Sequence, residues 1–377
     1  LIIFMCLGMR QLYNTHEVNN YMKRKYLIAA LLIIAGLIIC AASPVREVSR
    51  QGFAMNTLIS MRAYTSDDKL IDDAYSLLAE LDNQLSMYNP SSDISRINSH
   101  AGSERVNVPD SVVEVVRDSV RLYDITGGKF NPLIGTVTSL WKINRADNTV
   151  PSSNDLAGAI ALTNIENLEI ADENIFLREK GCIIDLGGIA KGYASRKIAD
   201  LFTSSGVTSG LIDLGGNIYV VGKKPDGQDW KIGVRNPLEP AGNSVLALSV
   251  NNCAIVTSGG YERFKIVDGK RYSHFFDPKT GESVMSDVLS VTLVTPDGSL
   301  ADGLATAFMI AGFDESAKIL GKLSPMPGAV FIREGEDGKP EILVSDNLRD
   351  RVVMSASPVR FFRTLPSELD SLGIESK

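Results

Sequence analysis

Apolar and polar positions change rhythm several times along the chain, and each change marks an element. Residues 51–64 alternate and predict a strand. Ser66-Asp67-Asp68 supplies a helix start, after which Leu70, Ala74, Leu77, Leu78, Leu81 and Leu85 recur at helical spacing until Asn89-Pro90-Ser91-Ser92 ends the run in a loop. A second helix follows Pro109-Asp110, carries Val112, Val113, Val116, Val120 and Tyr123, and stops at Gly127-Gly128. Residues 152–162 predict a short third helix. From residue 165 onward β patterns dominate. Runs 167–170 and 174–184 flank Ala171-Asp172-Glu173 as a hairpin, a helix fits 189–204, and strands fit 210–222, 230–235, 244–250, 253–257, 261–267, 270–276 and 287–295. Helices at 300–311 and 314–322 and strands at 328–333 and 340–344 complete the body. Helices and strands neither alternate strictly nor segregate, so the class is α+β.

One stretch obeys neither rhythm. Lys23-Arg24-Lys25 precedes 17 uninterrupted apolar or small residues, Tyr26 to Ala42, before the chain turns polar at Ser43-Pro44. No polar face exists for a core helix, and the build is that of a secretory signal or a single membrane anchor. Met22 makes the better initiator, which leaves residues 1–21 as a candidate non-native extension. Cys40 stands where a lipoprotein would carry its acylated cysteine, but Ile39 before it is larger than that signal prefers, so lipidation and an uncleaved anchor both stay open. The expected organisation is an anchor or signal at 22–42, a linker at 43–50, one large domain at 51–357 and a loosely held tail at 358–377. The domain is expected on the extracytoplasmic, periplasmic face of the cell membrane.

Composition narrows the chemistry. With 377 residues, 44% of them hydrophobic and 22% charged, the chain has ample core for a globular domain. Beyond residue 40, 34 basic residues stand against 44 acidic ones, a net charge of −10, and no basic run follows residue 50. This balance argues against a nucleic-acid partner, which needs a Lys/Arg footprint. Three His and four Cys leave little for a zinc centre, and Cys182 and Cys253 read as two buried free thiols rather than a disulfide.

Four clusters could carry chemistry. In Ile184-Asp185-Leu186-Gly187-Gly188-Ile189-Ala190-Lys191-Gly192-Tyr193 a strand ends in an Asp, two glycines follow and a helix starts. Phosphates could approach that backbone and meet the amides at 188–192, with Lys191 in reach; equally, this is a tight turn with Asp185 as a cap. In Ala301-Asp302-Gly303-Leu304-Ala305-Thr306-Ala307, Asp302 and Thr306 share one helical face. They form a partial shell for Mg²⁺, or an ordinary helix start with an inward-packed Thr. In Tyr272-Ser273-His274-Phe275-Phe276-Asp277-Pro278-Lys279-Thr280-Gly281, a neutral His274 could take a proton from a hydroxyl. Asp277 there either orients the imidazole or makes an Asx-turn ahead of Pro278. Thr126-Gly127-Gly128-Lys129-Phe130-Asn131-Pro132 reads locally as a helix stop plus a turn. The tetrapeptide Asp-Leu-Gly-Gly also recurs, at 185–188 and 213–216.

Taken in order, the motifs GxxMxT, MYxPxSxxSxxN, TGGxFxP, DLGGIAKGYA, DLGGN, SHxxDPxTG and ADGLATA resemble those of the FAD:protein FMN transferase family, the ApbE-type flavin transferases. The resemblance runs from Gly52 to about residue 333. It implies an ApbE-like mixed sheet core with flanking helices in a single large domain. It further implies Mg²⁺-dependent transfer of FMN from FAD to a Ser/Thr hydroxyl of an acceptor protein, with AMP leaving, the acceptor being a subunit of a membrane redox complex. Residue by residue, it places Met55, Tyr88, Lys129, Phe130, Asn131, Asp185, Lys191 and Phe276 at the FAD site. Asp302 and Thr306 match side-chain Mg²⁺ ligands and Gly188 a carbonyl ligand, and His274 matches the general base. Asn217 in the second DLGG motif is implied as support. Ala305 stands where some members carry another acid, and Asn131 where an Asp is common. The same residues would also serve a Mg²⁺-dependent FAD pyrophosphatase giving FMN and AMP, and a non-catalytic FAD-binding protein is the third reading.

Overall fold

The computed structural model describes residues 44–143, 149–239 and 243–364, together with Lys25, Ile28 and the strand Ile374–Ser376. The candidate extension at 1–21 and nearly all of the 22–42 segment lie outside the described residues; among those described, no helix is long and apolar enough to cross a membrane. Two units are delineated, Leu1–Arg46 with Thr65–Asp68, and Glu47–Tyr64 with Lys69–Lys377. Core and candidate site belong to the second.

That unit is organised by a ten-stranded sheet whose strands stand in chain order: Arg46–Ala54, Thr57–Thr65, Ser209–Leu214, Asn217–Gly222, Cys253–Gly259, Val288–Thr295, Gly328–Glu334, Pro340–Ser345, Val359–Phe362 and Ile374–Ser376. Pro340–Ser345 and Val359–Phe362 pair in parallel whereas their outer neighbours pair antiparallel, so the sheet is mixed. Side chains alternate between two buried faces. Ala254, Val256, Ala329, Phe331 and Leu343 face the helices, while Ile255, Val330, Ile332, Ile342 and Val344 face a second core. The second core is covered by a three-stranded sheet of Trp230–Arg235, Ser244–Val250 and Val352–Ser355. Burial on both faces is why these strands read as unbroken apolar runs rather than as alternation.

Several expected elements are redrawn. The strand at 51–64 is a hairpin, Arg46–Ala54 and Thr57–Thr65, so strand takes over part of the expected linker at 43–50. Its turn sets Met55 and Asn56 at φ 48° and 58°, a left-handed pair with no Gly to announce it. The run 210–222 likewise folds into two strands about Gly215 and Gly216, at φ 66° and 92°. The strand expected at 174–184 stops at Leu177, and short helices at Asp93–Ser99 and Gly135–Trp141 join those expected. The tail is corrected most clearly. Val359–Phe362 is a sheet strand, and Phe362 is fully buried with its ring edge-on to Phe313 at 5.2 Å. Burying one such ring contributes about 2–3 kcal/mol, enough to hold the segment in place. Cys182 and Cys253 are buried free thiols.

Two helices on the sheet's inner face build the floor of the site. Ala190–Ser204 crosses Gly298–Leu320, which breaks at Gly312 (φ 75°) as the two expected segments 300–311 and 314–322 require. The crossing is backbone against backbone: a Cβ on Gly192 would fall inside contact distance of the Gly298 carbonyl oxygen and 2.6 Å from Asp302 Cβ. Neither neighbour is a flexible side-chain tip, so the helices must part. Gly192→Ala should cost about 1–3 kcal/mol in urea or thermal unfolding. Gly158→Ala, where a Cβ meets nothing within 4 Å, should be neutral or slightly stabilising. Equal stabilities would show that the helix crossing is not tight.

Candidate active site

The turn Asp185–Ile189 leads directly into helix Ala190–Ser204. Asp185 is held on both sides: Oδ1 accepts from the Gly187 N–H at 2.8 Å and Oδ2 from Thr138 Oγ1 at 2.9 Å. Burial pushes its carboxyl upward, and those two donors counter the push. The second copy of the tetrapeptide makes a comparable bond, Asp213 Oδ1 accepting from the Gly216 N–H at 2.8 Å. The repetition therefore reports two Asp-stabilised glycine turns. Gly188 permits the next contact, since a Cβ would lie 3.0 Å from Thr306 Oγ1 and 3.2 Å from Phe130 Cε2.

Asp302 projects from the neighbouring helix and is 3% exposed. Its Oδ2 accepts from the Gly192 N–H at 2.9 Å, and the Lys191 N–H and the Asn217 side chain also donate to the carboxylate. Asp302 thus caps the helix that begins at Ala190, from outside that helix. This corrects the expectation that the amides at 188–192 face a ligand for four of them, those of Ile189 to Gly192. Ile189 and Ala190 bond the Leu186 carbonyl, and Lys191 and Gly192 bond Asp302. Burial drives the Asp302 carboxyl upward and the Lys191 ammonium opposes it. One turn on, Thr306 Oγ1 donates to the Gly188 carbonyl at 3.3 Å. Asp302, Thr306 and Gly188 therefore bring a carboxylate, a hydroxyl and a carbonyl to the lining of one cavity, the last two in hydrogen-bond contact.

His274 follows the hairpin Phe264–Val267 and Lys270–Ser273. Its Nδ1 lies 3.0 Å from the Arg263 carbonyl, which can only accept, so Nδ1 carries the hydrogen and Nε2 keeps its lone pair. Burial lowers its pKa to about 4, leaving the imidazole neutral near pH 7. The orienting group is thus the Arg263 carbonyl and not Asp277. Asp277 makes the alternative Asx-turn, Oδ1 accepting from the Lys279 N–H at 2.8 Å, and its Oδ2 sits 3.6 Å from Lys129 Nζ. Lys129 is shared with Glu315 at 3.4 Å.

Asp185, Gly188, Lys191, Asp302, Thr306, His274 and Lys129 line one cavity of about 540 Å³, a size suited to a small-molecule site. Of the expected residues, Tyr88, Lys129, Phe130, Asn131, Asp185, Gly188, Lys191, His274, Phe276, Asp302 and Thr306 all border it. Phe276 is braced from behind by Trp141, the rings stacked at 5.4 Å, and Asn131 Nδ2 donates to the Thr163 carbonyl at 2.9 Å. Met55 is not among the lining residues. It forms the hairpin turn, its N–H donating to Asp82 Oδ2 at 3.0 Å, and Thr57 reaches the cavity instead. Thr138, Glu262 and Arg263 also line it, unannounced by the sequence pattern. The expected strand at 261–267 starts only at Phe264, and the preceding Ser258-Gly259-Gly260 was the available sign of a turn that presents charged side chains. Burial raises the Glu262 carboxyl, with Lys191 and Arg263 opposing.

Comparison with known proteins gives a consistent picture. The family model described as "ApbE family" matches residues 55–331. The FAD:protein FMN transferase of Treponema pallidum is 32% identical over 321 residues, covering 80% of this chain and 88% of that protein. The enzyme of the same name from Vibrio cholerae is 30% identical, covering 83% and 94%. The solved flavin transferase ApbE of Vibrio cholerae superposes with a TM-score of 0.73 at 29% identity, over 82% of this chain and 100% of that one.

Proposed function

This chain belongs to the ApbE family, and from that premise we propose that it transfers FMN from FAD to a Ser/Thr hydroxyl of an acceptor protein, with AMP as the leaving group and Mg²⁺ required. One observation carries the reading: a neutral imidazole with Nε2 free lines the same cavity as the Asp302, Thr306 and Gly188 oxygens and Lys191.

The donor set suits Mg²⁺. Among the described residues no group of three or more His, Cys, Asp or Glu gathers, which disfavours zinc-type ligation. A carboxylate, a hydroxyl and a carbonyl are hard oxygen donors, and a cation bound chiefly by substrate phosphates and waters needs few protein ligands. Asn217, 3% exposed and bordering the cavity, keeps its Oδ1 buried without a partner, so the pocket has an acceptor left to satisfy. Asp302, Thr306 and the Gly188 carbonyl would hold the ion, which when bound neutralises pyrophosphate charge.

In the proposed step the acceptor oxygen bonds to the FMN phosphorus as the bond from that phosphorus to the bridging oxygen breaks. AMP departs with the bridging oxygen, and the hydroxyl proton passes to His274 Nε2. Lys191 steadies the phosphoryl charge, and Phe276, fixed by Trp141, gives an apolar wall for a planar ring. Tyr88, 71% exposed, borders the cavity as a further aromatic side chain for the FAD site.

The charged-then-apolar segment at 23–42 supports placement of this chemistry at a membrane on the extracytoplasmic face, where a redox-complex subunit would be the acceptor. Full-length protein incubated with FAD and Mg²⁺, with and without such a subunit, should release AMP in step with covalent flavin on the acceptor. AMP and free FMN in equal amounts regardless of acceptor would make the protein a pyrophosphatase, and tight FAD binding without cleavage would make it a carrier.

A further inference from the structure

Asn217 opens the strand Asn217–Gly222 directly after the two left-handed glycines, paired across the ladders with Leu214 and Val256. Both partners belong to the helix-facing core, so the Asn side chain points where an apolar residue would be expected. It is 3% exposed, and its amide donates to the Asp302 carboxylate. Its Oδ1 is buried and accepts from nothing in the protein. An unpaired buried amide oxygen costs about 1–3 kcal/mol, so a role confined to orienting Asp302 leaves half of the side chain unexplained. The remaining contacts form a chain: Asn217 to Asp302, Asp302 one helical turn from Thr306, and Thr306 to the Gly188 carbonyl. Ala305 is fully buried and its methyl side chain carries no polar atom, so it contributes no side-chain ligand to this group.

We propose that Asn217 Oδ1 is a fourth protein oxygen of the divalent-cation shell, directly or through one bound water, completing the set formed by Asp302, Thr306 and the Gly188 carbonyl. The proposal rests on the Mg²⁺-dependent reading above. An amide carbonyl is a hard, neutral donor, and it adds a ligand without a second buried carboxylate.

The test titrates Mn²⁺ into the full chain loaded with FAD, reading free Mn²⁺ by electron paramagnetic resonance and thermal stability in parallel. Wild type, Asn217→Ala, Asn217→Asp and Asp302→Ala are compared. Asn217→Ala should weaken Mn²⁺ binding by about 10-fold or more, in the range by which metal-site partners act. Asn217→Asp should retain binding, and Mn²⁺ should raise its melting temperature more than that of wild type, because two adjacent carboxylates repel until a cation separates them. A purely structural Asn would give a destabilised Asp variant that Mn²⁺ does not rescue. Wild-type Mn²⁺ affinity in Asn217→Ala, with binding lost in Asp302→Ala, overturns the role of Asn217 and leaves the metal reading standing. Weakened FAD binding with unchanged Mn²⁺ affinity also overturns it, assigning Oδ1 to the nucleotide. Absence of Mn²⁺ binding in wild type removes both.

Discussion

Replacing His274 by alanine is expected to lower FMN transfer by about 10²–10⁴-fold while FAD binding persists. The imidazole is held by one contact that fixes its tautomer, Nδ1–H to the Arg263 carbonyl, and that carbonyl also accepts from the His274 N–H at 3.2 Å. The ring is therefore positioned by backbone, and its removal deletes a base without unpairing a charged partner. A second measurement tests whether the buried ring is held neutral. Its folded-state pKa is about 4, against 6.5 for the free side chain, so as pH falls through 6.5 the unfolded chain takes up a proton that the folded chain refuses. Stability from this group is complete above pH 6.5 and is lost on the way down to pH 4, by about 3 kcal/mol in total. The raised carboxyls of Asp185, Asp302 and Glu262 act in the opposite direction in both proteins, so the comparison between them isolates the His. Denaturation at pH 7.5 and pH 5 should show a smaller acid loss in His274→Ala than in wild type. Unchanged transfer by the variant would remove His274 from the chemistry, and an identical acid loss would mean that the imidazole is not held neutral.

The site was legible where chemistry is local and the fold where burial is regular. Asp302 and Thr306 share a helical face by arithmetic alone, and Lys191 sits in a first turn that the Gly-Gly pair announces. The roles of the backbone were not legible. The sequence offers helix-start amides to a ligand, yet Asp302 consumes two of them, because a residue 110 positions away caps that helix. Asp277 looks like the partner of His274 from its spacing, but its own turn and Lys129 claim it. Arg263 acts on His274 through a carbonyl, which no side-chain motif encodes. The two hairpins hidden in 51–64 and 210–222 have different causes. Met55-Asn56 lacks a glycine, so its left-handed turn has no local sign, whereas Gly215-Gly216 had one that continuous apolar flanks overrode. Phe362 shows the converse: a terminal segment with an ordinary sequence becomes core once Phe313 and Phe331 provide a surface for it.

Asp302→Ala should abolish metal-dependent turnover, by about 10³-fold or more, since it removes the only carboxylate among the proposed ligands. The carboxylate also accepts from the Lys191 and Gly192 amides, so the alanine variant leaves two helix-start donors without their partner, at a stability cost of about 1–3 kcal/mol. Loss of activity in that variant alone could therefore reflect a frayed helix at Ala190. Asp302→Asn separates the two effects: its amide oxygen can still accept from the Gly192 N–H, so the cap survives, but the negative charge that would balance a divalent ion and Lys191 is gone. The expected pattern is near-wild-type unfolding for Asp302→Asn, FAD still bound, and transfer that does not respond to Mg²⁺ over a wide concentration range. Thr306→Val should fall between Asp302→Asn and wild type, because it deletes one neutral ligand and its hydrogen bond to the Gly188 carbonyl. Full, Mg²⁺-responsive transfer by Asp302→Asn would sink the ligand assignment and leave Asp302 as the cap of a neighbouring helix.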